Sequence, residues 1–201
     1  MTLSDWVSQN CKFASRRKVV LLTGFEDEKA IGKNPSWQAA SSLKGRTIGG
    51  FAVEARQLPA LFGRASEALL EAVRELRPDA VVCMGWTPDN EIKIETVARN
   101  LYDIKLTDEA GDHPPGPKVQ EGGEPQWKAT LPVDKILKAI RDAGFAVKRS
   151  DDAGGHTCNE CLYNLLSSKG CPRIVGFVHI PKKYKIESLR KIAEAIVLTL
   201  S

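Results

Sequence analysis

The chain has 201 residues, of which 42% are hydrophobic and 27% are charged, and its formal net charge is +4. This length and balance are typical of one large globular domain with a substantial core, and they exclude disorder throughout the chain. Because the lysines and arginines are scattered rather than gathered in one stripe, the charge does not indicate a nucleic-acid-binding protein.

Residues 1–17 are polar and uneven, and we interpret them as an amino-terminal extension that packs loosely. Residues 18–201 are expected to form a single domain. The domain begins with KVVLLTG, a short apolar run ending in glycine that is typical of a buried central strand. Hydrophobic spacing and turn residues then predict a helix at 36–43, a strand at 50–58, a helix at 61–77, and strands at 79–85 and 91–98.

A long loop is predicted in the middle of the chain. Residues 107–126 are rich in proline and glycine, and so long a loop in a compact domain is more typical of a functional segment than of a linker. Beyond it, the pattern predicts a helix at 133–143, a strand at 145–149, a helix from Cys158, a strand at 173–180 and a helix at 186–200. This alternation indicates an α/β domain with a largely parallel sheet covered on both faces.

The segment AGGHTCNECLY places Cys158 where a glycine-rich turn gives way to a predicted helix. Unsatisfied backbone N–H groups and the positive end of the helix dipole favour a thiolate there, so Cys158 is a candidate nucleophile. Two alternatives remain open. Cys158 could pack as a small buried residue, or it could bind zinc together with Cys161, Cys171 and His179.

Two other strands carry the partners that a reactive thiol needs. The segment RIVGFVHIP ends a predicted strand with His179, and IKIE carries Glu95 in another. Since Cys158 also follows a predicted strand, we expect thiol and imidazole to meet at the carboxyl edge of the sheet. Cysteine, histidine and carboxylate are the parts of a thiol acyl-transfer site. Alone, His179 is more typical of a hydrogen-bonded core residue and Glu95 of a solvent-facing carboxylate, and His113 and His156 compete for the role of base.

The cysteine count and the apolar pattern bear on location. Five cysteines without dense spacing do not resemble a secreted disulfide framework, and we interpret Cys83 as a core thiol and Cys11 as a surface thiol. No apolar stretch reaches the length of a membrane-spanning helix, and residues 1–15 lack the apolar region of a signal peptide. We therefore expect a reduced, cytoplasmic protein that does not enter a membrane.

Taken in order, several segments resemble the pyroglutamyl peptidase family, also called pyrrolidone-carboxylate peptidases. The resemblance runs from about Lys18 to Ile186 and is carried by VVLLTGFE, NPSW, LPALFGRASEAL, RPDAVVCMG, IKIETVARN, DIKLTDEAG, ATLPV, SDDAGGHTCNECLY and GFVHIP. It implies a three-layer α/β/α sandwich of the phosphorylase/hydrolase-like kind, with a mostly parallel central sheet. It also implies a cysteine exopeptidase that removes amino-terminal pyroglutamate from peptides without a cofactor or metal, as a cytosolic homo-oligomer (tetramer or dimer).

The resemblance assigns a role to each catalytic residue. It implies Cys158 as the nucleophile, His179 as general base and general acid, and Glu95 as the group that orients His179. The backbone N–H of Cys158 would then donate to the developing oxyanion.

The substrate-binding residues implied by the resemblance are Phe25, Asn34, Glu28 and Lys105. Phe25 matches the first of two phenylalanines that hold the lactam ring, whereas the second falls at Glu28, and a carboxylate is a poor wall for an apolar ring. The family's arginine on the oxyanion side becomes Lys105, which keeps the charge but loses the planar donor fork. These departures leave an alternative: a divergent member with altered amino-terminal specificity or little activity, acting as a binding module.

Overall fold

The structure, a computed structural model, describes residues 16–29 and 32–201. The strands of its central sheet are β1 (Lys18–Phe25), β2 (Thr47–Ile48), β3 (Phe51–Leu58), β4 (Ala80–Thr87), β5 (Ile92–Glu95), β8 (Val147–Ser150) and β9 (Ile174–Pro181). They lie in the order β2-β3-β1-β4-β9-β5-β8. A smaller antiparallel pair is formed by β6 (Val97–Arg99) and β7 (Gln126–Lys128).

Helices cover both faces of the central sheet. They are α1 (Pro35–Ser41), α2 (Arg64–Leu76), α3 (Val133–Asp142), α4 (Thr157–Ser167) and α5 (Ile186–Leu198). The apolar sides of α1, α3 and α5 share one core cluster, and those of α2 and α4 share the cluster on the opposite face. The predicted three-layer α/β/α arrangement is therefore confirmed.

The central strands are apolar because helices bury them from both sides. Val20, Leu21 and Leu22 of β1 are fully buried, and β4 is buried from Ala80 to Gly85. Such strands show a continuous apolar run rather than alternation, which is why the sequence predicts them well.

The direction of two strands differs from the prediction. Strands β3, β1, β4 and β9 run parallel, but β5 is antiparallel to β9, and β8 is parallel to β5. The carboxyl end of β8 therefore lies at the edge opposite to the one where β9 ends. The expectation that Cys158 follows a strand parallel to that of His179 is wrong. A buried strand has the same apolar sequence pattern whether it runs parallel or antiparallel to its neighbours.

Some element bounds also differ. The predicted strand at 91–98 is divided at Thr96 into β5 and β6, and the short strands β2 and β7 are not evident from the sequence pattern. Residues 100–125 form neither helix nor strand, which confirms the predicted loop. The predicted extension, apart from Arg16 and Arg17, lies outside the described residues, as does Cys11. Within 16–29 and 32–201, no helix has the length and apolar character needed to cross a membrane.

Candidate active site

A cavity of about 530 Å³ lies at the edge of the sheet where β1, β4 and β9 end. Each of these strands contributes a lining side chain from its last residues: Phe25, Trp86 and His179. The start of α4 and residues 106–109 of the long loop close the cavity from the sides. The carboxyl edge of parallel strands is where sites form in α/β folds, and the predicted loop takes part in this one.

His179 lines this cavity and forms a buried pair with Glu95. The Nδ1 atom of His179 lies 2.8 Å from Oε1 of Glu95, whose side chain is fully buried. Strand register brings them together, since Glu95 is paired with Phe177, two residues before His179 and on the same face of the sheet. With Nδ1 donating to the carboxylate, Nε2 is left to accept a proton.

Cys158 lines the same cavity as His179 and lies against the strand residue that pairs with it. It is the second residue of α4, is half-buried and lines the same cavity. Its Sγ atom is 2.9 Å from the position that a Cβ atom on Gly85 would occupy. Gly85 is the direct partner of His179 between β4 and β9. The sulfur therefore occupies the space that a side chain at position 85 would fill, on the face of the sheet that carries the imidazole.

The surroundings of Cys158 disfavour a resting thiolate. Burial raises the pKa of its thiol well above the ordinary value, and the negative charges of Glu28 and Glu95 raise it further. The structure thus points away from the thiolate predicted at the helix start, because burial and two carboxylates favour the neutral thiol. A neutral thiol needs a base, and His179 is the imidazole beside it.

The other histidines are placed differently. His156 lines the cavity, but its Nδ1 lies 3.0 Å from Thr157 Oγ1 and its Nε2 lies 3.1 Å from the Thr107 carbonyl oxygen. Both nitrogens are therefore engaged in linking the long loop to the start of α4. His113 is exposed, and its Nδ1 lies 3.1 Å from the Leu106 carbonyl oxygen.

The zinc alternative has no support in the arrangement of the cysteines. Cys161 is buried among apolar side chains on the inner side of α4, and Cys171 is half-buried beyond its carboxyl end. Within the described part of the chain, no three histidine, cysteine or acidic side chains converge as metal ligands would. Cys83 is fully buried, as expected of a core thiol.

Two of the four predicted substrate-binding residues line the cavity. Phe25 does so as the last residue of β1, and Glu28 does so from the turn that follows. Trp86 lines it as well, although its sequence context carries no motif. Its position one residue after Gly85, near the carboxyl end of an apolar strand, was the only signal that could have indicated it.

The other two predicted substrate-binding residues lie outside the lining. Asn34 is fully buried and caps the amino terminus of α1, where its Oδ1 accepts the N–H of Ser36 at 3.1 Å. Its amide donates to Glu28 Oε1 at 2.7 Å, so Asn34 supports a cavity residue from behind. Lys105 is exposed on the long loop, next to Leu106 of the lining but not part of the lining itself.

A thiol next to a carboxylate-bound imidazole, at the edge of a sandwiched α/β sheet, is the arrangement of a cysteine hydrolase. Comparison with known proteins gives the family. A family model described as pyroglutamyl peptidase matches residues 18–193. The chain therefore belongs to the pyroglutamyl peptidase family, and it is a cysteine-type peptidase.

Individual relatives and structures agree with this assignment. The chain is 40% identical over 169 residues to pyrrolidone-carboxylate peptidase 2 of Photorhabdus laumondii, covering 82% of this chain and 78% of the relative. It is 41% identical over 165 residues to the pyrrolidone-carboxylate peptidase of Chromobacterium violaceum, with the same coverage of each chain. The crystal structure of pyroglutamyl peptidase I from Bacillus amyloliquefaciens superposes with a TM-score of 0.84 at 29% identity, over 91% of this chain and 95% of that one.

Proposed function

We propose that the protein removes amino-terminal pyroglutamate from peptides by acyl transfer to Cys158. The observation that carries this proposal is the position of the Cys158 sulfur, over Gly85 and beside the carboxylate-bound imidazole of His179, in a chain of this family. The relatives named pyrrolidone-carboxylate peptidase support the choice of substrate.

The mechanism begins with a neutral thiol and a neutral imidazole. His179 Nε2 takes the proton of the Cys158 thiol as the sulfur attacks the exocyclic carbonyl carbon of the pyroglutamyl residue. Glu95 stabilises the imidazolium that forms, through its bond to Nδ1. The oxyanion of the tetrahedral intermediate accepts the backbone N–H of Cys158, since the first N–H groups of α4 have no partner within the helix.

Breakdown of the intermediate completes the reaction. The imidazolium of His179 gives its proton to the leaving amine, the C–N bond breaks and a thioester remains on Cys158. His179 then takes a proton from water, whose oxygen attacks the thioester carbonyl. Release of pyroglutamate returns the proton to the sulfur and restores the neutral thiol.

For substrate binding, we propose that Phe25 provides an apolar wall and that Asn34 acts from behind the cavity by holding Glu28. We give Lys105 no part in this proposal, because its exposed side chain is not part of the cavity wall. The alternative of a binding module with little activity is not favoured, since the pair of Glu95 and His179 is intact and the relatives are named as peptidases.

We also propose that the protein works in the cytoplasm as a homo-oligomer, a tetramer or a dimer. The described cysteines, Cys158 among them, are free thiols, which suits a reducing compartment. The large apolar side chains of Leu101, Ile104 and Trp127 are exposed, which suits burial against a second copy. Light scattering that gives only the mass of one chain at micromolar concentration would contradict the oligomer.

The activity is tested with pyroglutamyl-aminomethylcoumarin, whose hydrolysis releases a fluorescent amine. We expect turnover by the unsubstituted protein and none by the Cys158→Ala variant. Electrospray mass spectrometry of the protein trapped with a pyroglutamyl aldehyde should locate the adduct on Cys158. Absence of turnover together with absence of an adduct would contradict the proposed function.

A further inference from the structure

Glu28 is fixed in the cavity by the turn after β1. Its backbone pairs with Gly32, donating its N–H at 3.2 Å to the Gly32 carbonyl and accepting the Gly32 N–H at 2.7 Å. The side chain is half-buried and lines the same cavity as Phe25 and Cys158. The sequence-based picture of Glu28 as a poor apolar wall does not describe this placement, because the carboxylate has a specific polar environment.

Two neutral donors hold the Glu28 carboxylate. Trp86 donates its indole N–H to Oε2 at 3.0 Å, and Asn34 donates its amide N–H to Oε1 at 2.7 Å. The Asn34 amide is itself fixed, because it also donates to the Glu26 carbonyl at 3.2 Å and its oxygen accepts the Ser36 hydroxyl at 2.7 Å. One rotamer of Glu28 is therefore favoured, with its oxygens at the cavity wall.

The carboxylate keeps acceptor capacity after these bonds. Each carboxylate oxygen can accept two hydrogen bonds, and each oxygen of Glu28 accepts one from the side chains just named. A partly desolvated oxygen with an open lone pair favours a ligand that brings a donor. The pyroglutamyl ring carries one such donor, its lactam N–H, beside an otherwise flat and mostly apolar face.

We propose that Glu28 selects the substrate by accepting the lactam N–H, while Trp86 holds the carboxylate in place and supplies aromatic surface in the cavity. This inference rests on the proposed function and names a specificity-determining residue within it. Trp86 and Glu28 then act as one unit, in which an aromatic side chain and a carboxylate together do what a second phenylalanine would do by packing alone.

A neutral ring N–H suits this place better than an ammonium group. A primary ammonium needs up to three acceptors, whereas the lactam N–H needs one, and Phe25, Ala153 and Leu106 give the cavity apolar walls. Burial raises the pKa of Glu28, whereas the hydrogen bond from Trp86 lowers it. The net shift is upward, because burial is the largest effect.

The test compares two substrates of the same ring size, one with the lactam N–H and one without it. One is pyroglutamyl-aminomethylcoumarin, and the other is its 3-oxocyclopentanecarbonyl analogue, in which a methylene replaces the lactam N–H. The ratio of their kcat/KM values is measured in the unsubstituted protein and in Glu28→Gln, Trp86→Phe and Glu26→Gln. Because the ratio is taken within each variant, a loss of folded protein cancels.

We expect the unsubstituted protein to prefer the lactam by a factor on the order of 10 or more, as for a hydrogen bond to a charged group. In Glu28→Gln the preference should fall to within about threefold, and Trp86→Phe should lower it partly, because the carboxylate loses one of its two donors. Glu26→Gln is the matched control, since Glu26 lies in the same turn, is not part of the cavity lining, and accepts the Ala60 N–H through Oε1 at 3.3 Å, a bond that the amide oxygen of glutamine can keep. Its ratio should equal that of the unsubstituted protein.

Three outcomes would overturn the inference. If the lactam is hydrolysed but its preference is unchanged in Glu28→Gln, Glu28 does not accept the lactam N–H, and the proposed function stands. If prolyl-aminomethylcoumarin is the better substrate and loses its advantage in Glu28→Gln, the carboxylate receives an ammonium group instead. If neither the lactam nor its analogue is hydrolysed by the unsubstituted protein, the proposed function fails and the inference fails with it.

Discussion

The cavity has two halves that the sequence predicts unequally. The reacting half holds the proposed catalytic residues Cys158, His179 and Glu95, which lie on regular elements, and the register of β4, β9 and β5 places them. The recognition half holds the proposed specificity residue Glu28, whose side chain is positioned by a turn and by a tryptophan from another strand. The comparison teaches that strand register fixes chemistry across a sheet, whereas a turn residue obtains its role from partners that are distant in sequence.

The sharpest test of the reacting half is removal of the sulfur. Cys158→Ala should lower kcat for pyroglutamyl-aminomethylcoumarin by about 10⁴-fold or more, because no other residue lining the cavity carries a thiol. Steady-state fluorescence assays measure the loss. The control is Cys171→Ser, a half-buried thiol outside the cavity, which should retain activity. Equal losses in both variants would mean that Cys158 matters for folding rather than for chemistry.

The next largest effect is expected at the carboxylate of the buried pair. Glu95→Gln keeps the size of the side chain but loses its charge, so the imidazolium is no longer stabilised and the wrong tautomer of His179 is favoured. We expect kcat to fall on the order of 10²- to 10⁴-fold, as in other histidine–carboxylate pairs. Measurement of kcat and KM across pH separates this effect from weaker substrate binding.

A matched control is available for Glu95→Gln. Glu160 is also buried, and its Oε1 accepts the Ser66 hydroxyl at 2.7 Å on the side of α4 that faces α2. Glu160→Gln should cost stability in thermal unfolding yet keep kcat within about threefold. If both variants lose activity in proportion to lost stability, Glu95 has a structural role alone.

Gly85 provides a steric test of the position of the sulfur. A Cβ atom at this residue would lie 2.9 Å from Cys158 Sγ and 2.9 Å from the ring of Phe177, so both side chains must shift. Gly85→Ala should lower kcat by about 10- to 100-fold through displacement of the nucleophile, and stability should fall by about 1–3 kcal/mol. Gly116→Ala, where a Cβ meets nothing within 4 Å, is the control. Full activity in Gly85→Ala would show that the sulfur is not held over this glycine.

Much of the fold could be predicted because buried positions carry apolar residues at the spacing of the strand or helix that they belong to. Strands β1 and β4 each contain a continuous apolar run, and α2 places Ala65, Leu69 and Val73 on its buried side at helical spacing. The directions of β5 and β8 could not be predicted, since the pairing partner of a strand is set by contacts across the sheet. Without those directions, the sequence could not predict the route that residues 151–156 take from the end of β8 to Cys158.

The site could be predicted only where motif and register coincide. Cys158, Glu95 and His179 each lie within two residues of the end of a regular element, in a recognisable segment. The contact between Glu28 and Trp86 joins residues 58 positions apart and leaves no local pattern. The pKa of Cys158 is hard to predict from sequence for a related reason, because the helix start is visible in the sequence whereas the burial and the two carboxylates that raise the pKa are not.

The smallest expected effect links the two halves of the cavity through charge. Since burial and the carboxylates of Glu28 and Glu95 raise the thiol pKa of Cys158, its thiolate fraction should grow with pH over the whole range from about 6 to 9, without a plateau. The rate of iodoacetamide labelling at Cys158, followed by peptide mapping, should rise in parallel. A labelling rate that is already constant from about pH 6 would mean that a stable thiolate exists and that the shift is downward.

Removal of one of these charges is a second test of the direction in which the pKa of Cys158 is shifted. Glu28→Gln takes a negative charge away from the sulfur, which favours the thiolate, lowers its pKa and should raise the labelling rate at a given pH by about 3- to 10-fold. Glu26→Gln changes a carboxylate of the same turn outside the cavity wall and should have a smaller effect. The same Glu28→Gln variant thus makes the nucleophile easier to ionise while it weakens selection of the lactam. If Glu28→Gln labels faster at Cys158 but keeps its preference for the lactam, Glu28 affects the nucleophile without selecting the substrate. If it loses both labelling rate and preference, Glu28 has a structural role in the cavity.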